Sequence, residues 1–256
     1  MVHRRKDTER VTSQRLGDRF AKALQRFNPR VMLAATTTPE AVKQSPAWKE
    51  RPPTMSPTTW RIATFLSQCG NPFVISIPCF AATSFRATSR WSDRLRWWGI
   101  ATAVMTLPSF IYVRYGVRTG RLSDHEVSVR HERFWPYMGE IAAVLASYGI
   151  MRVLRAPREM TALVVSVAGA MMTITGVTLV WKMSMHVVGT AGAVTVFVLL
   201  YGKRALPLVA LVPLVGWSRY VLEHHTLAQI IAGAVVGATA LLAVFPALGV
   251  PTTKSQ

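Results

Sequence analysis

Residues 218–229 read Ser-Arg-Tyr-Val-Leu-Glu-His-His-Thr-Leu-Ala-Gln, at the junction of two apolar runs, 205–221 and 226–248. Arg219 and His225 stand six positions apart at what these runs make a membrane boundary. Both are costly to bury and contribute little to packing, so ionisable groups at that depth mark a functional site by default. A second cluster, residues 182–186, Lys-Met-Ser-Met-His, begins where the apolar run 160–181 ends. One cation and one histidine thus recur together at two such boundaries.

Half of the 256 residues are hydrophobic and 16% are charged, and the mean hydropathy is +0.26. Charge-poor windows approaching the ~20 residues of a spanning helix fall at 62–85, 97–113, 136–151, 160–181, 186–201, 205–221 and 226–248. Lipid offers no partner to backbone N–H and C=O groups, so runs of this kind imply helices. The 136–151 and 186–201 windows are short enough for buried helices of a soluble protein. Their alternation with basic turns predicts instead an all-α fold. That fold is a polytopic transmembrane bundle of six to seven spans, multi-pass in the cell membrane, with a polar site at one membrane face.

The net charge of +18 would suit nucleic acid, but the basic residues lie in the tail and in the turns between spans. That is ordinary membrane topology, and no nucleic-acid partner is expected. Cys69 and Cys79 fall ten residues apart in one apolar run, about 15 Å along a helix, too far for a disulfide.

Three regions follow: a basic tail at 1–57, a transmembrane region at 58–249 and a short tail at 250–256. The first shows no apolar core of a cleaved signal. Within it Leu16, Phe20, Leu24, Phe27 and Val31 recur at helical spacing among arginines. That pattern fits a basic amphipathic helix on an anionic membrane or a solvated tail. With seven crossings, 118–135, 182–186 and 218–225 share one face with the tail, and the Arg-rich turns at 86–96 and 152–158 share the other. The latter turns point to their own face as cytoplasmic. The long basic tail points the other way, and the tail and site are expected on the cytoplasmic side.

Two Lys/Arg-plus-His clusters on one face are suited to a phosphate ester. Arg offers phosphate a planar fork and Lys a point charge. One neutral His can attack phosphorus, and a second, protonated, can release the leaving group. Arg219 and His225 supply one half, Lys182 and His186 the other, and residues 118–133 add further cations.

These segments resemble the type 2 phosphatidic acid phosphatase family, whose fold is shared with vanadium haloperoxidases and whose pattern is K-x6-R-P, P-S-G-H and S-R-x5-H-x3-D. Ser218, Arg219 and His225 match the third motif, with Gln229 in place of Asp; Ser184 and His186 match the second, with Met183 and Met185 replacing Pro and Gly. Arg133 looks like the arginine of the first, and Glu126 falls where its lysine would be. Asn71-Pro72, the run 120–136 and Trp181-Lys182 are similar to a bacterial and archaeal branch. The resemblance implies His225 as nucleophile through a phosphohistidine and His186 as leaving-group acid. Lys182, Arg219 and Arg133, with Arg130, Ser184 and Ser218, would bind phosphate. Gln229 would hold the imidazole of His225 through its carbonyl oxygen but add no charge. The implied substrate is a lipid phosphate or prenyl diphosphate, with no cofactor and no metal.

Plainer readings stand beside these. His224 is the neighbouring candidate for the nucleophile, though spacing from Arg219 favours His225. Asp124, Glu126 and Glu132 read as loop salt bridges to nearby arginines, and Arg130 reads equally as ligand or ion pair. Trp97, Trp98, Trp135 and Trp181 fit an aromatic belt. Gly189, Gly192, Gly233 and Gly237 fit close helix packing. Two other function classes remain: different chemistry on the same anion site (terpene formation or vanadate-dependent oxidation), and a scaffold without turnover.

Overall fold

The computed structural model describes residues 52 and 54–251. The reading of 1–57 as a basic, partly amphipathic tail therefore falls on residues outside those described, apart from 52 and 54–57. Among those described, every regular element is helical. They are α1 Pro57–Cys69, α2 Pro72–Ala87, α3 Trp91–Ala101, α4 Leu107–Arg118, α5 Phe134–Val153, α6 Arg158–Thr178, α7 Met185–Tyr201, α8 Leu211–Val221 and α9 Leu227–Ala247.

Local sequence explains the breaks. Asn71 caps α2 by accepting from the Phe73 N–H at 2.9 Å, and Pro72 follows at the first helical position, where its missing N–H costs nothing. The run 62–85 is therefore two helices meeting at 48°. Between α3 and α4, Thr102–Thr106 widens into a π turn, with the Leu107 N–H bonded to the Thr102 carbonyl. Pro108 lies just beyond; it cannot donate in an α ladder and its ring crowds the preceding turn. Gly202, at φ 62°, ends α7 in a conformation that L side chains resist.

Four helical stretches among the described residues are long and apolar enough to cross a membrane: Trp91–Arg118, Arg158–Thr178, Met185–Val221 and Leu227–Ala247. The bent α1–α2 pair makes a fifth if counted as one. This corrects the expected six to seven spans. The 136–151 run lies in α5, which carries Glu140 and is not among them. The 186–201 and 205–221 runs form one continuous helical stretch, joined through the 3-10 segment Gly202–Ala210. That stretch doubles back at Gly202, because His186 near its start and Arg219 near its end both reach Glu126.

The helices nonetheless alternate in direction. Trp97, Met151, Met160, Leu200 and Phe245 pack in one core at the end away from His186 and Arg219. The Arg86 Nε–H donates to the Leu200 carbonyl at 3.3 Å at that same end. Trp97, expected in an aromatic belt, is buried there instead. The outer surface is apolar, with Phe65, Ile111, Leu145, Met172, Ile231 and Val235 exposed, as lipid-facing helices require.

At the centre, α7 packs on α9 and α2. A Cβ on Gly237 would lie 2.3 Å from the Val188 carbonyl oxygen, and one on Gly233 2.9 Å from that of Ser184. Glycine there permits backbone-to-backbone approach, as its spacing in the sequence predicts.

Candidate functional site

The 119–129 loop is shaped by a buried carboxylate. Asp124 accepts from the Glu126 N–H at 2.7 Å and the Ser128 N–H at 3.1 Å. Val127 sits at φ 47°, a left-handed conformation that costs a β-branched residue free energy. Arg133 holds it there: its Nε–H donates to the Val127 carbonyl at 2.8 Å and its Nη1 to that of Met183 at 3.2 Å. Arg133 thus fastens the 120s loop to the segment before α7.

The expected loop salt bridges are not what forms. Asp124 binds backbone, and Glu132 accepts from the Ser123 N–H at 2.9 Å and its hydroxyl at 2.5 Å. Glu126 reaches into the bundle, 2.8 Å from Arg219 Nη1, 3.1 Å from His224 Nδ1 and 3.9 Å from His186 Nε2. Burial alone would raise its carboxyl pKa. The hydrogen bond from His224 and the Arg219, His186 and His224 charges outweigh it and hold the group below the ordinary carboxylate range.

Arg219 lies in the last turn of α8 and is buried, its Nη1 also donating to Ser67 Oγ at 2.6 Å. Ser67, within the first apolar run, offered no signal in the sequence. Ser218 is buried and spends its hydroxyl proton on the Val215 carbonyl at 2.7 Å. Lys182 donates to the His224 carbonyl at 3.0 Å. Burial first, then the Arg133 and Arg219 charges, lower its pKa from 10.5 to about 8.

Thr226 caps α9 and Gln229 closes the capping box, an arrangement that satisfies two otherwise orphaned N–H groups. Gln229 Oε1 accepts from the Thr226 N–H at 3.3 Å and faces His225 Nδ1 at 2.9 Å. The backbone N–H is an obligatory donor, so it fixes which end of the amide faces inward, and His225 must donate from Nδ1. The lone pair then resides on Nε2. Burial, then the Lys182 and Arg219 charges, depress the pKa of His225 to about 2, against the Gln229 hydrogen bond. It is a neutral imidazole of fixed tautomer.

A cavity of about 230 Å3 opens from this cluster into the bundle. His186, Arg219, His225, Glu126 and Arg133 line its polar end; Ile75, Phe80, Val167, Met171, Ile174 and Leu241 are among the residues lining the rest. A second, more open pocket on the other side of His225 is lined by Lys182, His224, Thr226 and Gln229. Lys182, His186, Arg219, His225 and Arg133 are therefore brought together, and Ser184 stands at the N-cap position of α7 without a side-chain cap bond. Arg130 lies in the 3-10 turn Arg130–Arg133, outside the lining of both pockets.

His186 Nε2, Arg219 Nε and Ser184 Oγ are buried and have no hydrogen-bond partner among the described residues. Buried polar atoms are nearly always paired, and His186 and Arg219 line the polar end of the cavity, so their unsatisfied groups suit a polar, anionic ligand. No group of three metal-binding side chains occurs among the described residues. Comparison of the chain with protein-family models, with curated proteins and with solved structures gives no match.

Proposed function

We propose that the chain is an integral phosphatase of the cell membrane, of the type 2 phosphatidic acid phosphatase kind, acting on a lipid phosphate or prenyl diphosphate. The observation that carries this reading is His225: neutral, held at Nδ1 by Gln229, and standing between an apolar cavity and an open polar pocket. A lipid tail occupies the cavity and its phosphoryl group meets Arg219, Lys182 and Arg133. His225 Nε2 attacks phosphorus as the bond to the leaving oxygen breaks, and His186 gives that oxygen a proton. Water then attacks the phosphohistidine, giving a proton back to His186 as the P–N bond breaks, and regenerates the His225 imidazole.

Glu126 favours a second reading, a scaffold without turnover, because its carboxylate already neutralises Arg219 from within. Purified protein offered prenyl diphosphates, prenyl monophosphates and phosphatidic acid, with and without EDTA, separates the readings. Chelator-insensitive phosphate release is expected. Release that strictly needs added metal would favour other prenyl-diphosphate chemistry, and no release from any of them would leave the scaffold.

A further inference from the structure

Glu140 is a carboxylate that this mechanism does not use. It lies seven residues beyond Arg133, about 10 Å deeper along α5, and lines the same cavity. The Ser109 hydroxyl of α4 donates to its Oε2. Ser76 Oγ and Thr106 Oγ1, 3.0 Å apart, line the cavity too, and Thr106 closes the π turn. Widened turns of this kind often accompany functional sites.

A purely structural link between α4 and α5 needs no carboxylate, since serine or threonine to a backbone carbonyl suffices, as in the Thr190–His186 bond of α7. A carboxylate has about four lone-pair sites, and among the described residues Ser109 is the side chain that donates to Glu140. An acidic group among apolar walls is costly to keep unless a ligand completes its hydrogen bonding. Ser76 donates to the Phe73 carbonyl at 3.2 Å, which leaves the Thr106 hydroxyl of the pair able to donate. A hydroxyl on the ligand matches the group: it donates to Glu140 and accepts from Thr106.

We propose that Glu140, Ser109, Ser76 and Thr106 form a second binding station, one that takes a hydroxyl on the lipid chain about 10 Å from its anionic head. The proposal rests on the reading of the outer cluster as a lipid-anion site, and it defines the substrate class as hydroxylated chains. It makes Glu140 a specificity residue rather than a catalytic one.

The test uses alkyl monophosphates of one chain length, unsubstituted or hydroxylated at successive carbons, and their non-hydrolysable alkyl phosphonates. With the phosphates, kcat/KM should peak roughly tenfold above the plain chain at one hydroxyl position, the scale of one hydrogen bond to a charged group. In Glu140→Met the peak should vanish while release from the plain chain persists. Glu140→Gln, which keeps shape and an acceptor, should retain part of it and controls for folding. Binding of the phosphonates should follow the same order in calorimetry, so absent turnover with an intact binding preference would overturn the phosphatase reading alone. Equal binding and turnover for every hydroxyl position, or a peak undiminished in Glu140→Met, would overturn the station.

Discussion

Gln229 Oε1 lies 2.9 Å from His225 Nδ1 while the same oxygen accepts the Thr226 N–H that opens α9. The cap of a helix and the tautomer of a histidine are set by one amide. Gln229→Leu should therefore lose on two measurements: about 1 kcal/mol of stability from the cap in thermal or denaturant unfolding, and most phosphate release. Gln229→Asp should maintain or raise the rate, because a carboxylate behind the imidazole stabilises the charge that develops on it. A stable but inactive Gln229→Asp protein would contradict this account of the residue.

His225→Ala should reduce phosphate release by roughly a hundredfold or more, the scale expected for loss of a nucleophile. His224→Ala should retain turnover, since its Nδ1 is engaged by Glu126 at 3.1 Å. Trapping of a labelled phosphoenzyme after acid-free quenching should follow His225 alone. The opposite pattern would move the nucleophile by one residue.

Glu126→Gln should tighten binding of inorganic anions. Its carboxylate stands 2.8 Å from Arg219 Nη1 and competes with any phosphoryl oxygen for that cation. Two like charges about 4 Å apart repel by roughly 4 kcal/mol at an effective dielectric of 20, so a tenfold or larger gain is expected for orthovanadate inhibition. Unchanged or weaker inhibition would show that Glu126 moves aside at no cost, or that it organises the site.

The pH dependence should come from Lys182 on the alkaline side. Below about 8 its ammonium is protonated and attracts the substrate anion; as pH rises through that value the charge is lost. Accordingly kcat/KM, which reports the free enzyme, should fall above about pH 8. A bound anion favours the ammonium, so kcat should fall at higher pH than kcat/KM. Lys182→Arg should remove the limb, because guanidinium stays charged. An alkaline limb unchanged in Lys182→Arg would assign it elsewhere.

Helicity and convergence were legible in the sequence, because uncharged runs report the backbone's need for internal pairing and basic turns report where the chain reverses. Asn71-Pro72 was legible as a feature but not as a bend, since capping geometry appears only once the helix phase is known. The span count was overestimated because a charge-poor run does not show where its helix breaks or whether it is apolar enough: 62–85 divides at Asn71-Pro72, and 136–151 lies in α5, which is not among the spanning stretches. Ser67 was invisible: a serine in an apolar run is indistinguishable from helix filler until Arg219 is seen against it. Glu126 was visible where the resembling motif has a lysine. Its reach across to Arg219 was not, because that depends on the Asp124 turn and the left-handed Val127.

The backbone contact between α7 and α9 has a consequence for how firmly the two histidines are held apart. His186 opens α7, Gln229 lies in the first turn of α9, and His225 is just upstream. With the Val188 oxygen only 2.3 Å from where a Gly237 Cβ would be, backbone meets backbone at that crossing, with no side chain of residue 237 between to compress or rotate. The separation of the two imidazole-bearing ends is then a main-chain dimension, and thermal motion should carry both as one body. Volume added at the glycines would not simply loosen the bundle; it would act as a wedge under a caliper, resetting the span between the two imidazoles.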